Sequence, residues 1–275
     1  MSSHTQVYEF ARQCMQRSVA MCQDFSHRPV GKLRKGDKTW VTEADLSIEK
    51  ELRKMIRGAF PEHRIIGEEE GDELPSTPSS NKDEWTWILD PIDGTFSFVH
   101  GVPFYSSLLA VLKNGVPQIG FAALPEMGIV MSGERGRGVW INNVPYVRPE
   151  RIGQDAIELV ATADPYRFAM ENVGQLVPEF YTGAIKARTY PDALGYYMLL
   201  RGSVRAFVDP KVEIWDVAPF HVILPEAGFA IHAWNRTAAT ARLERGSSVA
   251  YPLDASGKPV AVNDVLGLLK GSVRP

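Results

Sequence analysis

Apolar residues recur along this chain with two periods, one that suits helices and one that suits strands. Residues 3–25 follow the helical period, and so do Ile48, Leu52, Met55, Ile56 and Ala59. The second group follows Thr42-Glu43-Ala44-Asp45, which fits a capping box, where the first hydroxyl and the fourth side chain each satisfy the other's backbone N–H. A helix is therefore predicted from Thr42 to the stop at Pro61, with the Asp45 carboxylate at its entrance. Asp45 is equally readable as a simple acid favoured by the helix dipole. Residues 85–89 are aromatic and branched and predict a strand ended by Pro91, and residues 96–100 predict a first helical turn. The polar stretch 71–84 predicts a surface loop, and the basic, Gly-containing stretch 33–38 a mobile connector.

Three further runs, 106–112, 117–124 and 129–132, are joined by Asn114-Gly115 and by residues 125–128, which predicts an antiparallel meander. Beyond about Pro149 the pattern becomes strand and helix in alternation, over 157–161, 166–176, 183–187, 192–201, 204–208 and 216–227. This change suggests two domains, 1–148 and 149–275, divided near 143–153, with a pocket at their junction. The stretch from Trp234 onward is polar and irregular over 236–246 and is assigned no functional role.

With 275 residues, 44% of them apolar, the chain is long enough to bury a substantial core. A net charge of −3 argues against a nucleic-acid or anionic-membrane surface. No apolar run reaches transmembrane length and the first 25 residues resemble no signal peptide, so a cytoplasmic location is the expectation. Cys14 and Cys22, eight apart in a predicted helix, read as reduced thiols on one buried face. The six histidines show no metal-ligand spacing, with His100 and His221 lying nearest the motifs.

Chemistry concentrates in Trp87-Ile88-Leu89-Asp90-Pro91-Ile92-Asp93-Gly94-Thr95, two carboxylates three residues apart at the end of an apolar run. Taken alone, Asp-x-x-Asp-Gly is as well explained by a strand and a turn. Other acids stand at the edges of apolar segments, namely Asp45, Glu68-Glu69 and Asp216. Hard divalent cations such as Mg²⁺ take oxygen ligands of this kind, and Gly94 with the helix start behind it offers N–H groups to a phosphate. Hydrolysis of a phosphate monoester by a metal-activated water needs this set and no nucleophilic side chain, and the chain has neither a Gly-x-Ser-x-Gly nor a His-Glu-x-x-His motif.

In Val41-Thr42-Glu43-Ala44-Asp45, Gly67-Glu68-Glu69, the Asp90 to Thr95 motif with Gly101-Val102-Pro103-Phe104, and Trp215-Asp216 with Glu226-Ala227-Gly228, the chain resembles the inositol-monophosphatase-like family of Mg²⁺-dependent, lithium-sensitive phosphatases. The resemblance implies an α/β fold layered α-β-α-β-α, a homodimer and two or three Mg²⁺ ions. It further implies that Glu68, Asp90, Asp93, Asp216 and the Ile92 carbonyl hold metal. Asp45 and Thr95, with Glu68, would position the attacking water, and the Gly94 and Thr95 amides would cradle the phosphate. The 33–38 connector would contribute a segment near the metal.

The stretch Arg188 to Tyr196 is similar to a segment of the family's histidinol-phosphate phosphatases, although Tyr190-Pro191 stands where those enzymes have Gly-Gly. Asp192 suits a cationic leaving group, or else caps the helix that follows it. Asp209 matches the family's substrate-contacting acid, with Glu213 as its rival, and Arg188 completes the expected pocket. L-histidinol phosphate is the expected substrate, inositol-1-phosphate the alternative. A regulatory binding protein with a vestigial metal site is the expectation of another class.

Overall fold

The computed structural model describes residues 4–28, 31–34, 40–77, 83–149, 158–182, 185–233 and 246–260, with Leu266 and Leu269. Helix α1 (His4–Ser26) leads to a two-stranded ribbon, β1 (Lys32–Arg34) and β2 (Trp40–Thr42), and then to α2 (Glu43–Ala59). The predicted connector overlaps β1, and its residues 35–38 lie outside the described residues. Next come β3 (Arg64–Gly67), β4 (Gly71–Glu73), β5 (Trp85–Asp93) and the short α3 (Thr95–Val99). The meander follows as β6 (Ser106–Lys113), β7 (Val116–Leu124), β8 (Ile129–Glu134), β9 (Gly138–Ile141) and β10 (Val144–Pro145). The second half contains β11 (Glu158–Thr162), α4 (Pro165–Met170), α5 (Leu176–Thr182), β12 (Ile185–Thr189), α6 (Asp192–Leu200) and β13 (Ala206–Val212). It continues through α7 (Ile214–Val217), α8 (Phe220–Glu226), β14 (Phe229–His232) and β15 (Gly246–Pro252).

Eight strands form one sheet in the order β10-β9-β8-β7-β6-β5-β3-β4, and five form another in the order β12-β11-β13-β15-β14. Apolar residues of α1 and α2, among them Met15, Ile48 and Leu52, pack with Trp87, Leu109 and Phe121 on one face of the large sheet. Its other face, at Leu108, Ala122 and Met131, shares a core with Leu199 of α6, Ile223 of α8 and Phe207 of β13. Phe168 of α4 and Phe180 of α5 cover the outer face of the small sheet with Val160, Val208 and Val249. The layers are therefore α-β-α-β-α, and the expected fold class holds. Cys14 and Cys22 are free and buried on α1, as the helical spacing required.

Four expectations need correction. Strand β5 does not end at Pro91 but runs to Asp93, because Pro91 falls where the pairing with β6 slips from Asp90↔Leu108 to Asp93↔Ser106. A proline, which has no N–H to give the ladder, is tolerated at such a bulge. Part of the predicted surface loop at 71–84 is strand β4, antiparallel to β3. The helix expected over 166–176 is two helices, broken where Asn172 takes a positive φ of 59°. Finally, the helix expected over 216–227 is two helices, α7 and α8, with Pro219 at the cap of the second. Of the polar stretch 236–246, residues 236–245 lie outside the described residues; β15, which follows, pairs with both β13 and β14 and so stands inside the small sheet.

Candidate active site

The bulge in β5 is what makes the acidic cluster. Residues three apart in a regular strand point to opposite faces, and the slip in register between Asp90 and Asp93 reverses that parity. Ligand oxygens of Asp90, Asp93 and Asp216 consequently lie within 4.8 Å of one another. Asp93 Oδ2 accepts the Ser106 hydroxyl at 2.6 Å and the Ala193 backbone N–H at 3.2 Å, which ties the large sheet to the start of α6.

Two capping boxes aim the other acids. Asp45 is the third residue of α2; its Oδ2 accepts the Thr42 N–H at 2.8 Å and the Thr42 hydroxyl, while Oδ1 is 3.4 Å from Thr95 Oγ1. Asp216 is the third residue of α7 and accepts the Glu213 N–H at 2.8 Å. In both cases one oxygen fastens the helix and the other remains for the site. Thr95 Oγ1 is also 3.1 Å from the Ile92 carbonyl, so its single hydrogen serves one acceptor at a time. Gly94 precedes α3 with φ at 80°, and a Cβ there would come within 2.9 Å of Asp192 Oδ2, so conformation and space both demand glycine.

Glu68 stands outside the tight triad, on the turn after β3, where its charge helps raise the carboxyls of Asp45, Asp90 and Asp216. That turn rests on a buried ion pair. The Glu49 carboxylate accepts the N–H groups of Glu69 and Glu70 at 2.9 Å each, and Arg53 holds Glu49 at 2.7 Å. Gly67 carries no side chain because Glu49 occupies the space.

Burial dominates the electrostatics of this rim, with the Arg167 charge only partly opposing it at Asp93 and Asp216. Asp90 and Asp93 are driven well above the usual carboxylate range, first by burial and then by neighbouring acids, and Asp216 is pushed up to about 8 and Asp45 to about 6, in both cases first by burial. Asp90 Oδ1 is buried with no hydrogen-bond partner. Crowded oxygens, an orphaned acceptor and disfavoured negative charge together fit a hard divalent cation.

The expected substrate residues divide. Asp192 and Asp209 meet through Arg167 of α4, whose Nη2 donates to Asp192 Oδ1 at 2.9 Å and whose Nη1 donates to Asp209 Oδ2 at 2.8 Å. Asp192 caps nothing: the cap position of α6 belongs to Pro191, and no side chain bonds there. Arg188 is exposed on strand β12 and donates to the Ala187 carbonyl at 2.9 Å, and among the described residues no hydrogen bond or ion pair brings it to this group. Glu213 serves the α7 capping box. Arg167 escaped the sequence reading, although Asp164-Pro165 before it is a helix-start signal that could have placed it on a short helix, with Asp164 capping Tyr166 N–H. Ser106 carried no local signal, whereas Glu49 and Arg53, four apart on the predicted helix, had the spacing of a helical ion pair but nothing to show that it is buried under the Glu68 turn.

The sequence matches the inositol monophosphatase family over residues 3–263. The chain belongs to that family. A histidinol-phosphatase from Chlorobaculum parvum is 33% identical over 204 residues, 74% of this chain and 76% of the relative. Another from Mycobacterium tuberculosis is 32% identical over 199 residues, 70% and 74% of the two chains. Among solved structures, the extragenic suppressor protein suhB from Bartonella henselae superposes with a TM-score of 0.78 at 18% identity, covering 97% of both chains, a likeness of fold. As a member of the inositol monophosphatase family, the protein is a phosphoric monoester hydrolase.

Proposed function

We propose that the enzyme hydrolyses a small phosphate monoester with a cationic group beside the ester oxygen, L-histidinol phosphate to L-histidinol, with Mg²⁺ as cofactor. Asp90, Asp93, Asp216, Glu68 and the Ile92 carbonyl would hold two or three ions. When bound there, a hard divalent cation supplies charge neutralisation and an acidified water. The protein's own groups do the rest. Asp45 and Thr95 hold the attacking water and take its proton toward Asp45, whose raised carboxyl makes it a competent acceptor near neutral pH. The first N–H groups of α3, at Gly94 and Thr95, orient the phosphoryl oxygens.

The observation that carries the substrate reading is the place of Asp192. Its Oδ2 packs over Gly94, so a carboxylate oxygen adjoins the phosphate position. In histidinol phosphate the ammonium is borne on the carbon next to the ester carbon, where it would meet that oxygen. The similarity to two histidinol-phosphatases supports the same choice. Inositol-1-phosphate is the second reading, favoured by the family and by the internal pairing of both acids with Arg167.

No helix among the described residues is long and apolar enough to cross a membrane. The proposal includes the homodimer, the cytoplasmic location and a division into domains 1–148 and 149–275, with no nucleic-acid partner. Phosphate release from histidinol phosphate, inositol-1-phosphate and fructose-1,6-bisphosphate, measured side by side with Mg²⁺ and with chelator, is the test. Chelator-sensitive preference for histidinol phosphate is expected. Preference for inositol-1-phosphate would overturn the substrate, and no turnover of any ester would favour a regulatory binding protein.

A further inference from the structure

We infer that Arg167 sets the charge of the leaving-group pocket: one guanidinium, bridging Asp192 and Asp209, cancels one of two carboxylates and leaves a single negative charge presented by Asp192 beside Gly94. The inference rests on the reading of this pocket as the leaving-group side.

Arg167 does not grip one carboxylate with both prongs. It spends one N–H on Asp209 of β13 and another on Asp192 at the start of α6. Asp209 is finished by this, because its other oxygen accepts the Lys211 N–H at 2.9 Å and the residue is only 2% exposed. Asp192 is different. Only Oδ1 goes to Arg167, while Oδ2 faces Gly94. Its backbone sits at a positive φ of 58°, a conformation that costs energy for any residue with a side chain and that turns this carboxylate toward the site. The next N–H, of Ala193, is committed to Asp93, so the helix start is fixed to the metal rim. Lys211, the neighbouring cation on β13, points its ammonium at Glu171, 4.0 Å away, and does not alter the count.

Charge balance follows from these contacts. Without Arg167 two carboxylates would face an incoming phosphate that already carries negative charge, next to a rim of further acids. With Arg167 one net charge remains, matched to one ammonium three bonds from the ester oxygen. Arg167 thus acts through Asp192 and Asp209 as a positioning and charge-setting residue.

The test uses 2-aminoethyl phosphate and 2-hydroxyethyl phosphate, which share a skeleton and differ in the charge of the group beside the ester. Each competes with p-nitrophenyl phosphate in the Mg²⁺-loaded enzyme, and the quantity read is the ratio of their inhibition constants, amine over hydroxyl affinity. In Arg167→Gln, read at a pH above that at which Asp209 without its guanidinium loses its proton, the ratio is expected to rise at least fivefold, because a second negative charge is uncovered. In Arg167→Gln/Asp209→Asn, where one charge again remains at Asp192, it is expected to return to within about twofold of the parent. A ratio unmoved by the single substitution, or unrestored by the double, overturns the inference.

If Arg167→Gln fails to fold, two double variants of equal net charge decide the matter. Arg167→Gln/Asp209→Asn keeps the amine preference, whereas Arg167→Gln/Asp192→Asn loses it; equal ratios in the two overturn the inference. A parent enzyme with no preference for the amine would instead overturn the cationic-substrate reading, and the response to the Arg167 substitutions would still be read from the change in ratio.

Discussion

Two acidic clusters lie side by side in this protein and obey opposite electrostatic rules. Around the β5 bulge Asp90, Asp93 and Asp216 are crowded within 4.8 Å with no hydrogen-bonded cation among the described residues bridging them, and all three resist ionisation. A few residues away Asp192 and Asp209 are bridged by Arg167, and Asp209 is lifted only to about 6, by burial, with the guanidinium opposing the rise. A cluster that supplies its own countercharge is complete as it stands. One that does not is built for a cation from outside.

The sharpest break between the two is Asp93→Asn. Replacing this carboxylate is expected to lower turnover by roughly a thousandfold or more, since ~4 kcal/mol of transition-state stabilisation corresponds to that factor. In chelator, however, the same variant should melt no lower than the parent, because a neutral amide replaces a carboxyl that burial already holds protonated. Retained activity in steady-state assays would show that Asp93 is not part of the hydrolytic set. Thr95→Ala comes next, with kcat falling about a hundredfold at little change in KM, as befits a group that holds the water. A KM effect with kcat intact would move Thr95 to substrate binding.

Asp209→Asn should show the contrary sign in stability. It leaves Arg167 with one partner fewer in a part-buried place and is expected to cost about 1–3 kcal/mol in urea unfolding, with or without metal. A neutral effect would mean that the bridge contributes nothing to the fold. Smallest is a pH effect on the metal-free enzyme. Asp216 is raised in the folded state, so its contribution to stability is present at low pH and lost as pH climbs toward about 8. His63 and His221, buried and held down to about 4, act oppositely as pH falls below about 6.5. Stability in chelator should therefore decline between about pH 6.5 and 8, by up to ~1.4 kcal/mol per pH unit for each raised carboxyl that holds its proton there, Asp90 and Asp93 adding to Asp216. Mg²⁺ should remove the decline, and equal slopes in calorimetry with and without metal would count against Asp216 as a ligand.

What could be read from the sequence was what is local. The capping box at Thr42, the Asn114-Gly115 hairpin and the buried face of α1 each declare themselves within a few residues, and the structure contains all three. The site motif could be located, but its geometry could not. Pro91 looked like an end because local rules see a missing N–H, whereas the partner strand β6 supplies a slipped register that accommodates it. Arg167, Asp192 and Asp209 are brought together by tertiary packing of α4, α6 and β13, and no periodicity announces an ion pair between positions so far apart. The same holds for β15, whose residues follow a polar stretch and become a strand because two waiting strands lack a neighbour.

That insertion has a consequence for how the enzyme comes into being. Strand β14 pairs with β15, and Asp209 of β13 stands in register with Ser248 of β15, whose hydroxyl lies 2.8 Å from the Tyr196 hydroxyl. Every residue of the β5 bulge and the meander behind it is synthesised long before residues 246–252 leave the ribosome. The Asp90 and Asp93 part of the rim can form early from neighbours in sequence, Asp216 joins it only with α7, and the proposed substrate wall at Asp209 is completed last, when a distant strand closes the second sheet. A nascent chain halted before that closure would have the makings of its reaction and not yet a means of choosing what to apply it to.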